Sequence, residues 1–168
     1  QSQNVVANAK HYVNNNQETD RTTDTAVLSE RAEFEMYLPP FEAAVSANVG
    51  SIMCSYNKIA IEEFQQAPGF WSCENNHTLN TYLRDHLGFK GFVMSDWGAT
   101  HSMSINQGLD QEMPGNDFMS DENLAAAVQN GTVLEETIDQ SVLRILTPFF
   151  QVGAFDNPTN GTFPSLYP

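Results

Sequence analysis

The stretch of sequence that decides the fold reads Gly91-Phe92-Val93-Met94-Ser95-Asp96-Trp97-Gly98-Ala99. Its first half is a short apolar run, which predicts a buried strand. The strand ends at a carboxylate and an indole, Asp96 and Trp97, before small residues follow. In parallel α/β folds the carboxyl ends of the strands carry the chemistry, so Asp96 is predicted to lie at a catalytic rim. A second interpretation remains open, in which Asp96 only caps a following helix and Trp97 packs in a core.

Two further strands are predicted upstream, over residues 5–12 and 51–56. Apolar residues at helical spacing predict helices over residues 29–38, 41–47, 75–87, 121–129 and 134–151. Pro39-Pro40 is expected to interrupt or redirect the first of them. Strands that alternate with helices predict an α/β fold with a parallel sheet buried on both faces. Residues 110–115 are a short segment that ends in Pro-Gly. We count about four strands in all, half of a (β/α)8 barrel.

Polar side chains follow the other predicted strands as well. Lys10-His11 ends the first strand and leads into an Asn-rich stretch over residues 14–25 that also contains Arg21. Ser55-Tyr56-Asn57 ends the second strand. Groups of this kind can hold several hydroxyls, although Lys10 and His11 could equally belong to a salt-bridge network.

Composition excludes several classes of partner. The formal net charge is −14 and the pI is about 4.3. A polyanion such as nucleic acid would be repelled, so we expect no nucleic-acid partner. No run approaches the roughly 20 apolar residues that span a bilayer, so we expect no membrane partner. The four histidines show no ligand-like pairing, so we expect no metal site.

Two cysteines and three sequons bear on the compartment. Cys54 and Cys73 either pair or remain free thiols, since a sequence does not give their separation in space. Asn-X-Thr sequons, which are acceptor sites for N-glycosylation, occur at Asn76, Asn130 and Asn160. Together they favour a secreted, extracellular protein.

Five strings resemble those of family 3 glycoside hydrolases, in the same order and at nearly the same spacing. They are Ala9-Lys10-His11-Tyr12, Tyr37-Leu38-Pro39-Pro40-Phe41, Met53-Cys54-Ser55-Tyr56-Asn57, the stretch at residues 91–99, and Glu112-Met113-Pro114-Gly115. Gly153-Ala154-Phe155-Asp156 is similar to the end of that family's barrel domain. The resemblance implies that residues 1–156 are the C-terminal half of a (β/α)8 TIM-type barrel, about its last four strand–helix units. Residues 157–168 would then begin an inter-domain linker.

The same resemblance implies a function and a set of site residues. Asp96 would be the catalytic nucleophile of a retaining β-glucosidase that removes terminal non-reducing β-D-glucosyl residues from glucosides and cello-oligosaccharides, with no metal or organic cofactor. Six residues would bind substrate: Lys10, His11, Arg21, Met53, Tyr56 and Trp97. Cys54 and Cys73 would pair. The general acid/base would lie outside this chain, and we assign that role to none of Glu62, Glu63, Glu74 and Glu112.

The chain departs from the family pattern in two places. Relatives usually carry Gly-Asn-Glu-Gln-Glu where this chain has Asn14-Asn15-Asn16-Gln17-Glu18, so a carboxylate is missing at Asn16. Residues 59–70 intervene before the second cysteine. They are expected to form either a short amphipathic helix at the rim or an irregular surface insertion. Alternatively, they result from a splicing or gene-model error.

Three alternatives stay open at this point. A β-xylosidase of the same family would differ in one pocket wall that the sequence does not identify. A noncatalytic sugar-binding fragment would retain Lys10, His11 and Asp96 but lack a proton donor. The family's N-acetylglucosaminidase branch is disfavoured because its histidine-bearing acid/base loop has no counterpart in the Asn-rich stretch. We also expect that the isolated chain is inactive and poorly stable, since half a barrel leaves open sheet edges.

Overall fold

The computed structural model describes residues 3–115 and 117–156. Within them, strands and helices alternate along most of the chain. The strands are β1 (Asn8–Tyr12), β2 (Thr25–Leu28), β3 (Ser51–Cys54), β4 (Lys58–Ile61), β5 (Phe70–Trp71) and β6 (Phe92–Ser95). The α-helices are α1 (Glu30–Ala32), α2 (Pro39–Ser46), α3 (Asp121–Gln129) and α4 (Glu135–Gln151). Helical segments of π type cover Glu33–Tyr37 and His77–His86, and 3-10 turns cover Glu62–Phe64, Ser72–Glu74 and Ile105–Gln107. The α/β class is confirmed.

One sheet positions the predicted rim. It contains β1, β3 and β6 in that order, and both pairings are parallel. In the β3–β6 pair, Cys54 is opposite Ser95. Because parallel strands end at the same edge, His11 near the end of β1 and the residues that follow β3 and β6 (Tyr56 and Asp96) are brought to one side of the sheet.

The segment at residues 110–115 lies beside the sheet but adds no full strand to it. Of residues 110–115, only Gln111 pairs with the sheet, through a single parallel bridge to Met94. The reason is local: the Asp110 carboxylate accepts the backbone N–H of Val93 at 2.8 Å, and the following Pro114 has no N–H to donate to a ladder. The sequence predicted about four strands, whereas the described residues form six, three in each of two sheets.

A second, separate sheet contains β2, β4 and β5. The β2–β4 pair is parallel and the β4–β5 pair is antiparallel. Residues 59–70 thus form a strand, a 3-10 turn and the start of another strand. The amphipathic helix and the irregular surface insertion expected there are both wrong, because Ile59 and Ile61 are fully buried in the core. Both sheets have three strands and neither closes within the described residues.

The helices begin and end largely where the sequence places them. The Ser29 hydroxyl accepts the N–H of Ala32 and caps α1, as the Ser-containing start predicted. Pro39 and Pro40 occupy the first turn of α2, so they redirect the chain without breaking a helix. The predicted helix over residues 75–87 has π-type bonding over His77–His86.

The main core lies on one face of the first sheet. Ile52 and Val93 are fully buried there, and they belong to one cluster with Leu79 and Leu83 from the His77–His86 helix. Burial of such side chains contributes roughly 1.5–3 kcal/mol each. None of the helices in the described ranges is long and apolar enough to cross a membrane. The predicted linker at residues 157–168 and the sequon at Asn160 lie outside the described residues.

Candidate active site

Asp96 lies directly after β6, and backbone hydrogen bonds fix it there. Its N–H donates to the Cys54 carbonyl at 3.0 Å, and its own carbonyl accepts the N–H of Ala99 at 3.0 Å. Among the described residues no helix starts at Asp96, and the next helical turn begins at Ile105. The alternative in which Asp96 only caps a helix is therefore wrong.

Two side chains from neighbouring strand ends contact the Asp96 carboxylate. The Tyr56 hydroxyl lies 3.0 Å from Oδ1, which also accepts the N–H of Trp97 at 2.7 Å. His11 Nε2 lies 3.1 Å from Oδ2. Both carboxylate oxygens are thus engaged by donors, so the orientation of the group is fixed.

The protonation states of these partners follow from their surroundings. Burial, and then the hydrogen bond to Asp96, raise the pKa of Tyr56, so its hydroxyl stays protonated and can donate. Burial, followed by the nearby Lys10 charge, lowers the pKa of His11 below its ordinary value, although Asp96 opposes that change. A neutral His11 can donate from Nε2 to Asp96.

Arg21 reaches the site from the Asn-rich segment. Its guanidinium carbon lies 4.7 Å from the centre of the Tyr56 ring, and its Nε is 3.4 Å from a carboxylate oxygen of Glu18. Lys10 and Arg21 both lower the pKa of His11 by their charge. Two cations therefore lie close enough to His11 to act on its charge.

The remaining two predicted binding residues are placed differently. Trp97 adjoins Asp96, and 65% of it is exposed, so its indole is available to a ligand. Met53 is half-buried in β3, opposite Met94 and on the other strand face from Ile52 and Cys54. The role of Met53 in substrate binding stays a prediction.

Cys54 and Cys73 form a disulfide, as the resemblance implied. The Cys54 carbonyl accepts the N–H of Asp96, so one cysteine of the bridge is hydrogen-bonded to the backbone of the candidate nucleophile. Two of the three sequon asparagines, Asn76 and Asn130, are exposed. Whether either carries a glycan stays a prediction.

Most of the carboxylates left without a role have local partners. Glu63 accepts the N–H of Glu30 at 2.7 Å, and Glu74 accepts the hydroxyl of Ser102. Glu112 accepts the N–H groups of Phe118 and Met119. No cluster of three or more His, Cys, Asp or Glu side chains suited to a metal occurs in the described part of the chain.

Sequence reasoning missed two arrangements around the site. The Asn14 amide donates to the buried Glu33 carboxylate at 2.7 Å, which ties the Asn-rich segment to the helical turn Glu33–Tyr37. Asp110 accepts from both Arg84 and Arg144 beneath β6. Nothing in the local pattern signalled either arrangement, since Glu33 is one of several charged residues at its helix start.

The match to known proteins covers almost the whole chain. The model of the glycosyl hydrolase family 3 N-terminal domain matches residues 1–147. A probable beta-glucosidase L of Aspergillus terreus is 47% identical over 159 residues, which is 89% of this chain and 20% of that protein.

Solved structures of other proteins are also similar to this chain. A β-D-glucoside glucohydrolase from Trichoderma reesei has a TM-score of 0.79 at 42% identity, covering 89% of this chain and 21% of that one. Beta-glucosidase 3B from Thermotoga neapolitana, solved in complex with α-D-glucose, has a TM-score of 0.83 at 34% identity, covering 98% and 23%. The chain spans about a fifth of the length of these relatives. It belongs to glycosyl hydrolase family 3, within the N-terminal domain of that family.

Proposed function

We propose that this protein takes part in hydrolysis of terminal non-reducing β-D-glucosyl residues from β-glucosides and cello-oligosaccharides. One observation carries the proposal: Asp96, at the end of β6, has its carboxylate oriented by Tyr56 at 3.0 Å and by His11 at 3.1 Å. The similarity to proteins named as β-glucosidases supports the sugar.

In the proposed retaining mechanism, a carboxylate oxygen of Asp96 attacks the anomeric carbon and the glycosidic bond to the leaving group breaks. A glycosyl–Asp96 ester results, and water then hydrolyses it with net retention. Tyr56 holds the attacking group in one orientation. The exposed Trp97 indole offers an apolar surface to a sugar ring.

A second carboxyl must protonate the leaving oxygen, at roughly 5–5.5 Å from the nucleophile in a retaining enzyme. Glu63, Glu74 and Glu112 are each engaged in local hydrogen bonds, and Glu62 is exposed in its 3-10 turn. We therefore propose that the acid/base lies outside this chain. We further propose that residues 1–156 form the C-terminal half of a (β/α)8 barrel and that residues 157–168 begin a linker. An extracellular location is proposed from the disulfide and the sequons.

Replacement of the nucleophile tests the proposal. In the full-length protein, Asp96→Asn should reduce hydrolysis of p-nitrophenyl β-D-glucoside by several orders of magnitude. A 2-deoxy-2-fluoroglucoside should leave a trapped sugar on the peptide that contains Asp96, as read by mass spectrometry. Glu35→Gln, a change at an exposed carboxylate paired with Arg31, is the matched control. Label on another carboxylate, or near-normal turnover by folded Asp96→Asn, would refute the mechanism.

A further inference from the structure

Trp71 links the second sheet to the segment that follows Asp96. Its ring stacks on the imidazole of His101, with the ring centres 3.9 Å apart and the ring planes 17° apart. Trp71 is the last residue of β5, whereas His101 lies in the loop that begins at Asp96. The excursion that starts at residues 59–70 therefore ends in a contact with the loop of the candidate nucleophile.

The chain around Trp71 is anchored on both sides. In the β4–β5 pair Trp71 is opposite Lys58, whose ammonium lies 4.5 Å from the centre of the Trp71 ring in a cation–π contact. The next residue, Ser72, is fully buried. Its hydroxyl donates to the Tyr12 carbonyl at the end of β1 and accepts the N–H of Ser55, which follows β3. The indole is thus a fixed support for the ring that stacks on it.

The first half of the segment after Asp96 is held by its backbone. Gly98 has a φ of +76°, in the left-handed region that favours glycine, and its N–H donates to the Met113 carbonyl at 2.8 Å. The N–H of Ala99 donates back to the Asp96 carbonyl at 3.0 Å. The chain therefore makes a tight turn directly after the candidate nucleophile, and Trp97 lies within this turn.

The second half of the segment is held by side chains. The His101 imidazole stacks on Trp71, and the Ser102 hydroxyl donates to the Glu74 carboxylate. Both supports come from the chain that flanks Cys73, which the disulfide attaches to β3. The turn after the candidate nucleophile is therefore fixed at its far end by this pair of contacts.

The Trp97 side chain depends on that support. Its residue is 65% exposed, so few core contacts hold the indole and its place follows from its backbone. The same backbone belongs to the site, because the Trp97 N–H donates to Oδ1 of Asp96 at 2.7 Å. An aromatic face that is already in place when a ligand arrives lowers the entropic cost of binding.

We propose that Trp71 is a positioning residue: through its stack on His101 it fixes residues 97–102 and so holds the Trp97 indole in place for the sugar. The inference rests on the proposed function. It also gives residues 59–70 a role, because this excursion leads into β5 and brings Trp71 to the loop.

The proposal separates substrate binding from the chemical step. Asp96 is held independently of the stack, by the hydrogen bond of its N–H to the Cys54 carbonyl and by the Tyr56 hydroxyl. Loss of the stack should therefore weaken the contact of Trp97 with the sugar and leave the nucleophile in place. We expect a higher KM with little change in kcat.

Kinetics of the full-length protein test this expectation. Trp71→Ala should raise the KM for p-nitrophenyl β-D-glucoside roughly two- to tenfold, the effect of losing one aromatic pair. The kcat should change by less than about twofold. Trp71→Phe keeps an aromatic face and should restore the KM. Val27→Ala, at an exposed position of the same small sheet, is the control and should change neither value. A KM that stays at the parent value in Trp71→Ala, or a fall in kcat alone, would overturn the proposal.

Hydrogen–deuterium exchange read by mass spectrometry follows the segment itself. The amides of residues 97–102 should exchange faster in Trp71→Ala than in the parent, and at the parent rate in Trp71→Phe. His101→Ala breaks the same stack from its other side, so the double variant should resemble either single variant. Additive losses in the double variant, or unchanged exchange at residues 97–102, would refute the support by Trp71.

Exchange also separates this inference from the proposed function. If the parent protein hydrolyses no glucoside, the proposed function fails, and the exchange data still decide the role of Trp71. Faster exchange that is confined to residues 97–102 and reversed by Trp71→Phe supports the positioning role. Faster exchange spread over both sheets would make Trp71 a general stabiliser and would refute it.

Discussion

The Tyr56 hydroxyl lies 3.0 Å from Oδ1 of Asp96, although the two residues are 40 positions apart in the sequence. The parallel pairing of β3 with β6, which sets Cys54 opposite Ser95, brings them together. The same hydroxyl is 3.1 Å from the Trp97 carbonyl, and its one proton can be donated to only one of the two oxygens. Because its pKa is raised, the Tyr56 hydroxyl keeps its proton. It therefore orients the Asp96 carboxylate by donating a hydrogen bond.

Tyr56→Phe removes this hydrogen bond and keeps the ring under Arg21. We expect kcat/KM for p-nitrophenyl β-D-glucoside to fall roughly ten- to hundredfold, since a hydrogen bond to a charged group is worth about 1.5–3 kcal/mol. The thermal midpoint should change little, because the hydroxyl is not part of the core. Tyr37→Phe is the matched control, as its hydroxyl is not among the groups bonded to Asp96. Wild-type kinetics in Tyr56→Phe would contradict the orienting role.

His11 should report the charge of Asp96. Burial and Lys10 lower its pKa below the ordinary value of 6.5, and Asp96 is the largest influence that raises it. Asp96→Asn should therefore lower the His11 pKa further, as followed by NMR titration of the imidazole. The pKa of His101, whose charged neighbours are Glu74 and Lys58, serves as the internal control and should not change.

The sign of the pH effect on stability follows from the same shift. With a folded pKa below the unfolded one, the unfolded chain binds more protons as the pH falls below about 6.5. Protonation of His11 therefore lowers the free energy of unfolding as the pH falls. An imidazole pKa that rises in Asp96→Asn would contradict the contact between the two side chains.

The sequence predicted the strand ends better than it predicted the sheets. Short apolar runs located β1, β3 and β6, and the predicted site residues His11, Tyr56 and Asp96 lie together at the ends of these strands. Residues 59–70 misled because Ile59 and Ile61 alternate at the period of a strand inside a segment that otherwise has helix-like spacing. Their pairing with β2 depends on a partner more than 30 residues away, which no local pattern contains.

The helix over residues 29–38 shows a second limit. Helical spacing assigns faces with 3.6 residues per turn, whereas the turn at Glu33–Tyr37 is of π type and holds more residues per turn. The faces rotate accordingly: Glu33 becomes fully buried, while 67% of Met36 is exposed. Buried Glu33 accepts a hydrogen bond from Asn14, a contact across 19 residues that no local pattern contains.

The disulfide should support both stability and the site. Its cysteines are 19 residues apart, and a loop of that size is worth about 3 kcal/mol in a chain-entropy estimate. Reduction should therefore lower the denaturant midpoint. It should also lower activity, because Cys54 carries the carbonyl that holds the Asp96 N–H. Cys54→Ser combined with Cys73→Ser should show the lower stability and no further response to reductant. Two free thiols in denatured, unreduced protein from an oxidising host would refute the bridge and weaken the case for secretion.

Glu33 is a pH-sensitive group that lies outside the proposed chemistry. Its side chain is fully buried, and burial raises its pKa from 4.5 to about 7 while the hydrogen bond from Asn14 opposes the change. Its other oxygen, Oε1, has no partner among the described residues. Ionised Glu33 is therefore a buried charge without a cation in contact, which is unfavourable.

Replacing Glu33 by Gln should change how stability depends on pH. Because the folded pKa lies above the unfolded one, the folded state binds more protons between pH 4.5 and about 7, and its stability falls as the pH rises through that window. The loss reaches about 3 kcal/mol above pH 7. Glu33→Gln cannot ionise, so its free energy of unfolding relative to the parent should rise across this window, as measured by denaturant titration at pH 5 and pH 8. Glu35→Gln, at an exposed helix position, should follow the parent. A Glu33→Gln curve that stays parallel to the parent's would mean that Glu33 is not protonated on folding.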